Sequence, residues 1–345
     1  MHKFANFNEQ HIDQTVTLSG FVKKVRNLGE LIFIDLRDTT GIIQIVVDDT
    51  NSDLVLIAHK IRSEYFISVT GMIAGRKKVN PDLPSGSIEL IANNIEIISI
   101  AKQTPLIIDD VTDALEDIRL EYRYLDLRRP LMQNKLKLRH QMMISIRNFY
   151  NNADFIEIET PILSKSTPEG ARDFLVPSRV NQATFFALPQ SPQVYKQLLM
   201  VSGFERYYQI AKCFRDEDLR SDRQPEFTQL DVEMSSVSDQ EIMALTESML
   251  KKVIYDLKDI KLNDNFQRMT YDDAMTNYGS DKPDTRFDLK LVDVTSIFAK
   301  SEFKVFSNVD CIKAINGKGG AQFYSRKVID ELEINAKQNG ALGLA

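Results

Sequence analysis

The densest run of side chains able to do chemistry lies at residues 207–234, YYQIAKCFRDEDLRSDRQPEFTQLDVEM. Two stretches of period-two alternation flank a charged loop, so the run is expected to form two paired strands. In the first, Gln209, Ala211, Cys213, Arg215 and Glu217 share a face, with Tyr208, Ile210, Lys212 and Phe214 on the other. In the second, Gln229, Asp231 and Glu233 alternate with Leu230, Val232 and Met234. The outcome is a sheet with one apolar and one polar face. A guanidinium set among carboxylates and amides can grip an anion bidentately. Such a face is costly to bury unless it meets a polar ligand. The plainer alternative is the solvated face of an antiparallel sheet. Cys213, within the first strand, reads as a small core residue rather than a nucleophile.

Residues 1–104 read as all-β with one helix. Strands are expected near 16–25, 31–35, 42–47, 65–75 and 87–99, with a helical interval at 51–62 between the third and fourth. That order is the order of an OB-fold, whose second and third strands and flanking loops bind oligonucleotides. Lys23, Lys24 and Arg26 occupy the expected first loop, and Arg76, Lys77 and Lys78 the loop after the fourth strand. Phe33 is either a core residue or an exposed ring for stacking on an unpaired base. Residues 101–120 form a connector. A helix is expected at 131–150, burying Met142, Met143, Ile146, Phe149 and Tyr150. A strand follows at 155–163, running into Pro161. A second helix begins at Ser191 or its neighbouring prolines and carries Gln193, Tyr195 and Lys196. Ser238 and Glu241 form a capping box opening a further helix, with Ile242, Leu245, Met249, Leu250, Val253, Ile254 and Leu257 as its core stripe.

With 345 residues and 43% apolar side chains, the chain is long enough for two or three domains with true cores. Its net charge of −6 argues against binding nucleic acid by bulk electrostatics, so any RNA contact must be local. The two cysteines lack metal-site spacing and imply no disulfide framework, which points to the cytoplasm. The four histidines, His2, His11, His59 and His140, are scattered and receive no chemical role. No signal peptide or membrane-length apolar run is present. The GKGG turn at Lys318 lacks the Lys-Ser/Thr of a phosphate loop and reads as a plain loop.

Spacing adds what composition cannot. Phe214-Arg215-Asp216-Glu217 reads FRxE, and Arg223, Phe227 and Asp231 complete RxxxFxxxD. This pair resembles motif 2 of the class II aminoacyl-tRNA synthetases. CFRDEDLRSDRQPEFTQLDVE, GELIFIDLRDTTGIIQIVV, YRYLDLRRP, TPEGARD and QSPQVYK are all similar to the bacterial aspartyl-tRNA synthetases. The helix and strand ending at Pro161 resemble motif 1, which forms much of a homodimer interface. The strings TPEGARD and QSPQVYK disfavour the related asparaginyl and lysyl specificities.

The resemblance implies a multi-domain chain. An all-β OB-fold anticodon-binding domain covers 1–104. An α+β class II catalytic domain, an antiparallel sheet with helices, covers 105–284. The start of a bacterial insertion domain covers 285–345. It implies activation of L-aspartate by ATP, with Mg2+, and transfer to tRNA-Asp. Arg215 would be the catalytic residue, contacting both ATP and aspartate. Asp216, Glu217, Gln224 and Phe227 would complete the ATP site. Glu169, on a lid at 164–177, would bind the substrate ammonium, Lys196 its β-carboxylate, and Ser191, Gln193, Val194 and Tyr195 would line the pocket. Without the resemblance, Lys196 reads as a snorkelling surface lysine. Arg26, Phe33, Gln44 and Glu89 would read the anticodon. No residue of this chain is implied as a metal ligand.

The family's motif 3, GxGxGxER, does not occur in the sequence, nor do the family's downstream arginine for the aspartate side chain and glutamate for metal and ATP. The chain is therefore expected to be incomplete at its C-terminus and inactive alone, with a non-catalytic tRNA-binding fragment as the alternative function. Trp is absent, against 19 Phe and 11 Tyr. Together with the closing GALGLA, this suggests a UGA codon read as Trp in the source organism; a fragment or a frameshift are the alternatives.

Overall fold

The computed structural model describes residues 3–344 apart from 30, 168, 263, 264, 299, 303–305, 307, 308, 342 and 343. His2 and half of the GALGLA run, residues 342, 343 and 345, lie outside the described residues. Contacts divide the chain into two units, Met1–Val237 with Lys252–Asp259, and Ser238–Lys251 with Ile260–Ala345.

The first unit begins with a closed barrel of five strands in the order β1-β2-β3-β5-β4. These are β1 (Thr15–Asn27), β2 (Leu31–Arg37), β3 (Ile42–Asp48), β4 (Phe66–Gly75) and β5 (Ile88–Ser99), with helix α1 (Ser52–Lys60) between β3 and β4. All neighbours are antiparallel except β3 and β5, whose parallel pairing closes the barrel. This is the topology expected of an OB-fold. Alternation builds the core: Ile32, Ile34 and Leu36 point inward from β2, and Ile43, Ile45 and Val47 from β3. Gly71 sits at a register shift, where a Cβ would come within 2.1 Å of the Ile91 carbonyl oxygen, so no side chain fits.

The first correction lies in β1. Lys23, Lys24 and Arg26 are not on a loop but on the strand, which continues past a bulge between Val22 and Lys24. Bulges sharpen twist and let a strand run on around a barrel corner.

The connector holds α2 (Glu116–Glu121) and α3 (Arg123–Asp126). Asp110 accepts from the Leu131 amide at 2.9 Å, capping the long helix α4 (Pro130–Asn152) from outside its own sequence. Ser145, Ile146 and Tyr150 are buried on α4, with Met142, Met143 and Phe149 half-buried, as the periodicity predicts. Tyr150 stacks on Tyr208 with centroids 5.0 Å apart, seating α4 on the sheet.

That sheet is β10-β9-β6, from β6 (Ile156–Glu157), β9 (Arg206–Phe214) and β10 (Glu226–Met234). β9 and β10 pair antiparallel, as predicted, and β6 joins parallel. The strand expected over 155–163 shrinks to β6. The chain leaves the ladder when Thr160 donates its hydroxyl to Gln209 at 3.0 Å, and Pro161 has no N–H to continue it. A small hairpin, β7 (Leu175–Pro177) with β8 (Phe185–Ala187), precedes α5 (Gln193–Val201).

The Ser238 amide and hydroxyl both donate to Glu241 at 2.8 Å, forming the predicted capping box at α6 (Asp239–Lys258), whose residues up to Lys251 belong to the second unit and the rest to the first. Its stripe is core at Met249 and Val253, whereas Ile242 is 45% exposed. The second unit also contains α7 (Tyr271–Tyr278), the pair β11 (Leu291–Asp293) and β12 (Lys313–Ile315), α8 (Thr295–Phe298) and α9 (Arg326–Gln338). The GKGG turn leads into a short 3-10 turn, and Lys318 lies 3.5 Å from Asp288 at the surface.

Candidate active site and nucleic-acid interface

The register of β9 and β10 sets Gln209 opposite Asp231, Ala211 opposite Gln229 and Cys213 opposite Phe227. The polar face predicted from alternation therefore exists, but it is not the solvated one. Gln209 and Asp231 are each 8% exposed, and Cys213 is fully buried. Helix α5 packs over this face and brings Lys196, 9% exposed, into it. Its ammonium donates to Asp231 Oδ1 at 2.9 Å and lies 3.4 Å from Glu233 Oε2. Lys196 is thus a buried, doubly paired cation rather than a surface lysine. Burial pulls its pKa down, but the hydrogen bond and charge of Asp231, then those of Glu233, outweigh burial and leave it raised. Tyr207 donates to Gln209 at 2.7 Å, and its hydroxyl is held protonated by burial and by the Asp231 charge. Burial first, then Asp231, pushes the Cys213 thiol up to about 11, so it is an unreactive core thiol.

Asp231 and Glu233 are the partners that sequence reading left without a role. Alternation put them on the right face, but nothing in the sequence ties them to a lysine 35 positions earlier. One lysine against two carboxylates leaves the cluster with an excess negative charge. Asp231 Oδ2 is buried and has no hydrogen-bond partner, so it is ready for a donor.

Arg215 follows β9 on this face. Its guanidinium carbon lies 5.0 Å from the Phe227 ring centroid, and its Nε is buried without an acceptor. Cation–π stacking fixes the plane of the guanidinium and leaves its N–H groups for an anion. Glu217 sits 3.9 Å from Arg223 across the charged loop. Asp216 and Gln224 are exposed, and the Asp216 amide donates to the Arg172 carbonyl at 3.0 Å. Glu169 accepts from the Ser191 hydroxyl at 2.8 Å, and Tyr195 and Ser164 hydroxyls are 3.2 Å apart. Gln193 is half-buried on α5, and Val194 is 44% exposed on the same helix.

On the barrel the structure gathers all four predicted residues. Gln44 is the hub: its Oε1 accepts from Arg26 at 3.2 Å and from Arg76 at 2.6 Å, and its Nε2 donates to Glu89 at 2.8 Å. Arg26 also pairs with Asp35 at 2.7 Å. Phe33 lies on the outer face of β2, half-buried beside Leu31, while Ile32 and Ile34 take the core. Its ring is 5.9 Å from the Arg26 guanidinium carbon. Together they line a groove of about 400 Å³, joined by Lys77 and Lys78. Lys23 is absent from this groove. Its ammonium is 2.9 Å from Asp109 of the connector, which accounts for its charge.

The OB-fold nucleic acid binding domain family matches residues 16–98, and the class II tRNA synthetases (D, K and N) match residues 115–336. The chain is 54% identical over 338 residues to an aspartate–tRNA ligase of Streptococcus thermophilus, covering 97% of this chain and 58% of the relative. It is 56% identical over 344 residues to an aspartate–tRNA(Asp/Asn) ligase of a Geobacillus species, covering 98% and 58%. The chain therefore spans about 58% of the length of these curated relatives. Among solved structures, asparaginyl-tRNA synthetase from Pyrococcus horikoshii complexed with asparaginyl-adenylate aligns with a TM-score of 0.65 at 25% identity, over 73% of this chain and 56% of that one. With a domain-family match across most of its catalytic region and an OB-fold ahead of it, the chain belongs to the class II tRNA synthetases.

Proposed function

We propose that this chain carries the anticodon-reading barrel and the amino-acid-activating face of an aspartate–tRNA ligase. In the first step a carboxylate oxygen of L-aspartate attacks the α-phosphorus of ATP. A carbon-bound oxygen gains the bond to phosphorus, and pyrophosphate leaves. No enzyme nucleophile is required, so positioning and charge stabilisation supply the rate. The observation that carries this proposal is the buried Lys196 between Asp231 and Glu233, on the same sheet face as Arg215.

In this mechanism Lys196 meets the substrate β-carboxylate, and the ammonium goes to Asp231 Oδ2 and Glu169. Ser191, Gln193, Val194 and Tyr195 frame the pocket. Arg215 bridges the attacking carboxylate and the α-phosphate, neutralising charge that develops on phosphorus. Phe227 offers its free ring face to adenine, Glu217 accepts from the adenine amino group, and Asp216 and Gln224 lie beside it. Magnesium arrives on the triphosphate. Among the described residues, no group of three or more His, Cys, Asp or Glu side chains is gathered to cage the ion, and no step here depends on one.

On the barrel, Phe33 stacks on an anticodon base while Arg26, Gln44 and Glu89 read its neighbours, giving tRNA-Asp as the partner. A homodimer through α4 is part of the same proposal. Leu131, Leu136, Leu138 and Ile144 are 38–55% exposed there, apolar surface that a second copy would cover. A cytoplasmic setting goes with this activity; no helix among the described residues is long and apolar enough to cross a membrane.

Aspartate-dependent ATP–pyrophosphate exchange by the purified chain is the test. Exchange with aspartate, and with neither asparagine nor lysine, supports the assignment. A second function, tRNA binding without activation, is favoured by the barrel's own closed core. Anticodon stem-loop binding without exchange would select it.

A further inference from the structure

Glu169 lies in a stretch whose described residues have little apolar cover. Lys165, Ser166, Glu169, Gly170 and Arg172 are all exposed. Its ends are tied by backbone bonds, from Ala187 to the Ser164 carbonyl at 2.8 Å and from Asp216 to the Arg172 carbonyl at 3.0 Å. Between these ties one carboxylate closes the loop on itself. Asp173 Oδ2 accepts from the Ser166 hydroxyl at 2.6 Å, and Asp173 Oδ1 accepts from the Gln190 side-chain amide. Gln190 is 2% exposed, and its Nε2 also donates to the Ala171 carbonyl at 2.9 Å.

Two acceptors thus claim both hydrogens of the Gln190 amide, and its Oε1 is left buried with no partner. Turning the amide over would aim that oxygen at a carboxylate and a carbonyl, so its orientation is forced. An unpaired buried carbonyl is unfavourable, and it is tolerated here to satisfy Asp173 and Ala171. The next residue, Ser191, holds Glu169 itself at 2.8 Å. The pair Gln190–Ser191 therefore grips both the closing end of the loop and the carboxylate at its tip.

We propose that Asp173 and Gln190 form a clasp, positioning residues that hold Ser166 and Ala171 in place on either side of Glu169 and so set where Glu169 meets the substrate ammonium. This rests on the aspartate-activating reading of the site. Asp173 joins donors from both sides of the loop, so its loss frees the loop as a whole. The Ser191–Glu169 bond alone is a single exposed contact.

Limited trypsin digestion of the purified chain tests the clasp, reading cleavage after Lys165 relative to cleavage after Lys60 in the barrel. Asp173→Ala should speed the Lys165 cut about tenfold. Asp173→Asn keeps an acceptor for Gln190 and a partner for Ser166, and should stay within threefold of wild type. Gln190→Leu keeps the volume and removes both the unpaired carbonyl and the donor to Asp173 and Ala171, so it tests the clasp from its other side, and it should also speed the cut about tenfold. Lys165 cleavage within twofold of wild type in Gln190→Leu, or rising only in step with Lys60, overturns the clasp. Added L-aspartate addresses the site reading separately. Slower Lys165 cleavage in wild type supports it, and no slowing alongside the expected variant effects overturns that reading while leaving the clasp standing.

Discussion

Replacing Lys196 by Met removes one charge and keeps the length of the stem. Lys196 is 11% exposed at its side chain, Asp231 10% and Glu233 28%. At 2.9 Å and an effective dielectric of 20, the Lys196–Asp231 attraction alone is about 6 kcal/mol before desolvation is subtracted. Breaking a buried pair from one side costs about 3–5 kcal/mol, because the partner charge stays buried without compensation. Glu233 still reaches water, which places this case near the lower end, at about 3 kcal/mol. Urea unfolding of the purified chain should read that loss at pH 8. The double variant Lys196→Met/Asp231→Asn, which removes the stranded charge too, should recover about half of it. The sign with pH follows from the raised pKa of Lys196. Its stabilisation is complete below about 10.5, the ordinary lysine value, and fades as pH climbs through the higher folded-state value. The gap between wild type and variant should therefore narrow only in strong alkali. In pyrophosphate exchange the aspartate KM should rise about a hundredfold, with that for ATP spared, because the substrate β-carboxylate would then meet Asp231 and Glu233 with no cation between them, a repulsion separate from the net gain of a single contact. A stability loss below about 1 kcal/mol with an unchanged aspartate KM would refute both the burial argument and the substrate contact.

Three further outcomes follow from other parts of the molecule. Arg215→Ala should slow pyrophosphate exchange about a hundredfold or more, the cost of ~3 kcal/mol for one lost donor at phosphorus; a rate within threefold of wild type removes Arg215 from the mechanism. Phe33→Ala should weaken anticodon stem-loop binding by ~1–3 kcal/mol without altering circular dichroism, since Phe33 faces away from the barrel core; loss of the fold would show the ring to be structural. Glu64, 5% exposed, accepts from Arg37 at 2.9 Å and from Arg128 at 2.6 Å, and Arg128 also lies 4.0 Å over the Phe21 ring. Glu64→Gln should therefore cost about 3 kcal/mol in urea unfolding, and a loss under 1 kcal/mol would mean the triad is energetically idle.

The barrel was legible because its signal is local. Ile32, Ile34 and Leu36 alternate with polar or half-buried neighbours, and that alone fixes which face of β2 is core. The two faces of β9 and β10 were legible for the same reason. Their cover was not. Alternation says that Asp231 and Glu233 share a face, but whether water or a helix meets it depends on where α5 lands, which no local pattern encodes. The shortened β6 is a similar case: the side-chain bond from Thr160 to Gln209 competes with the ladder and cannot be seen from the apolar pattern of residues 155–163. Lys23 looked like a free basic residue because its partner, Asp109, lies in the connector. Asp173 and Gln190 stand beside recognisable motif residues, yet their types signal nothing until the fold brings them together.

The sites share a physical trait that bears on how ligands would bind. Most polar groups assigned to a ligand already have a partner: Lys196 with two carboxylates, Glu169 with Ser191, Gln44 with Arg26, Arg76 and Glu89. Binding to such groups exchanges one hydrogen bond for another, so each contact adds only about 0.5–1.5 kcal/mol of net affinity. The discrimination is larger. A ligand that breaks into the Gln44 hub without matching its donors and acceptors leaves a buried group unpaired, Gln44 being 6% exposed. Against that background Arg215 Nε and Asp231 Oδ2 differ, being buried without a partner. Arg26 Nε in the barrel groove is in the same state, but on the β9–β10 face, among the described residues, Arg215 Nε and Asp231 Oδ2 are where a ligand gains a hydrogen bond without breaking one. One calls for an anion and the other for a cation, and an amino acid presents both charges on a single carbon.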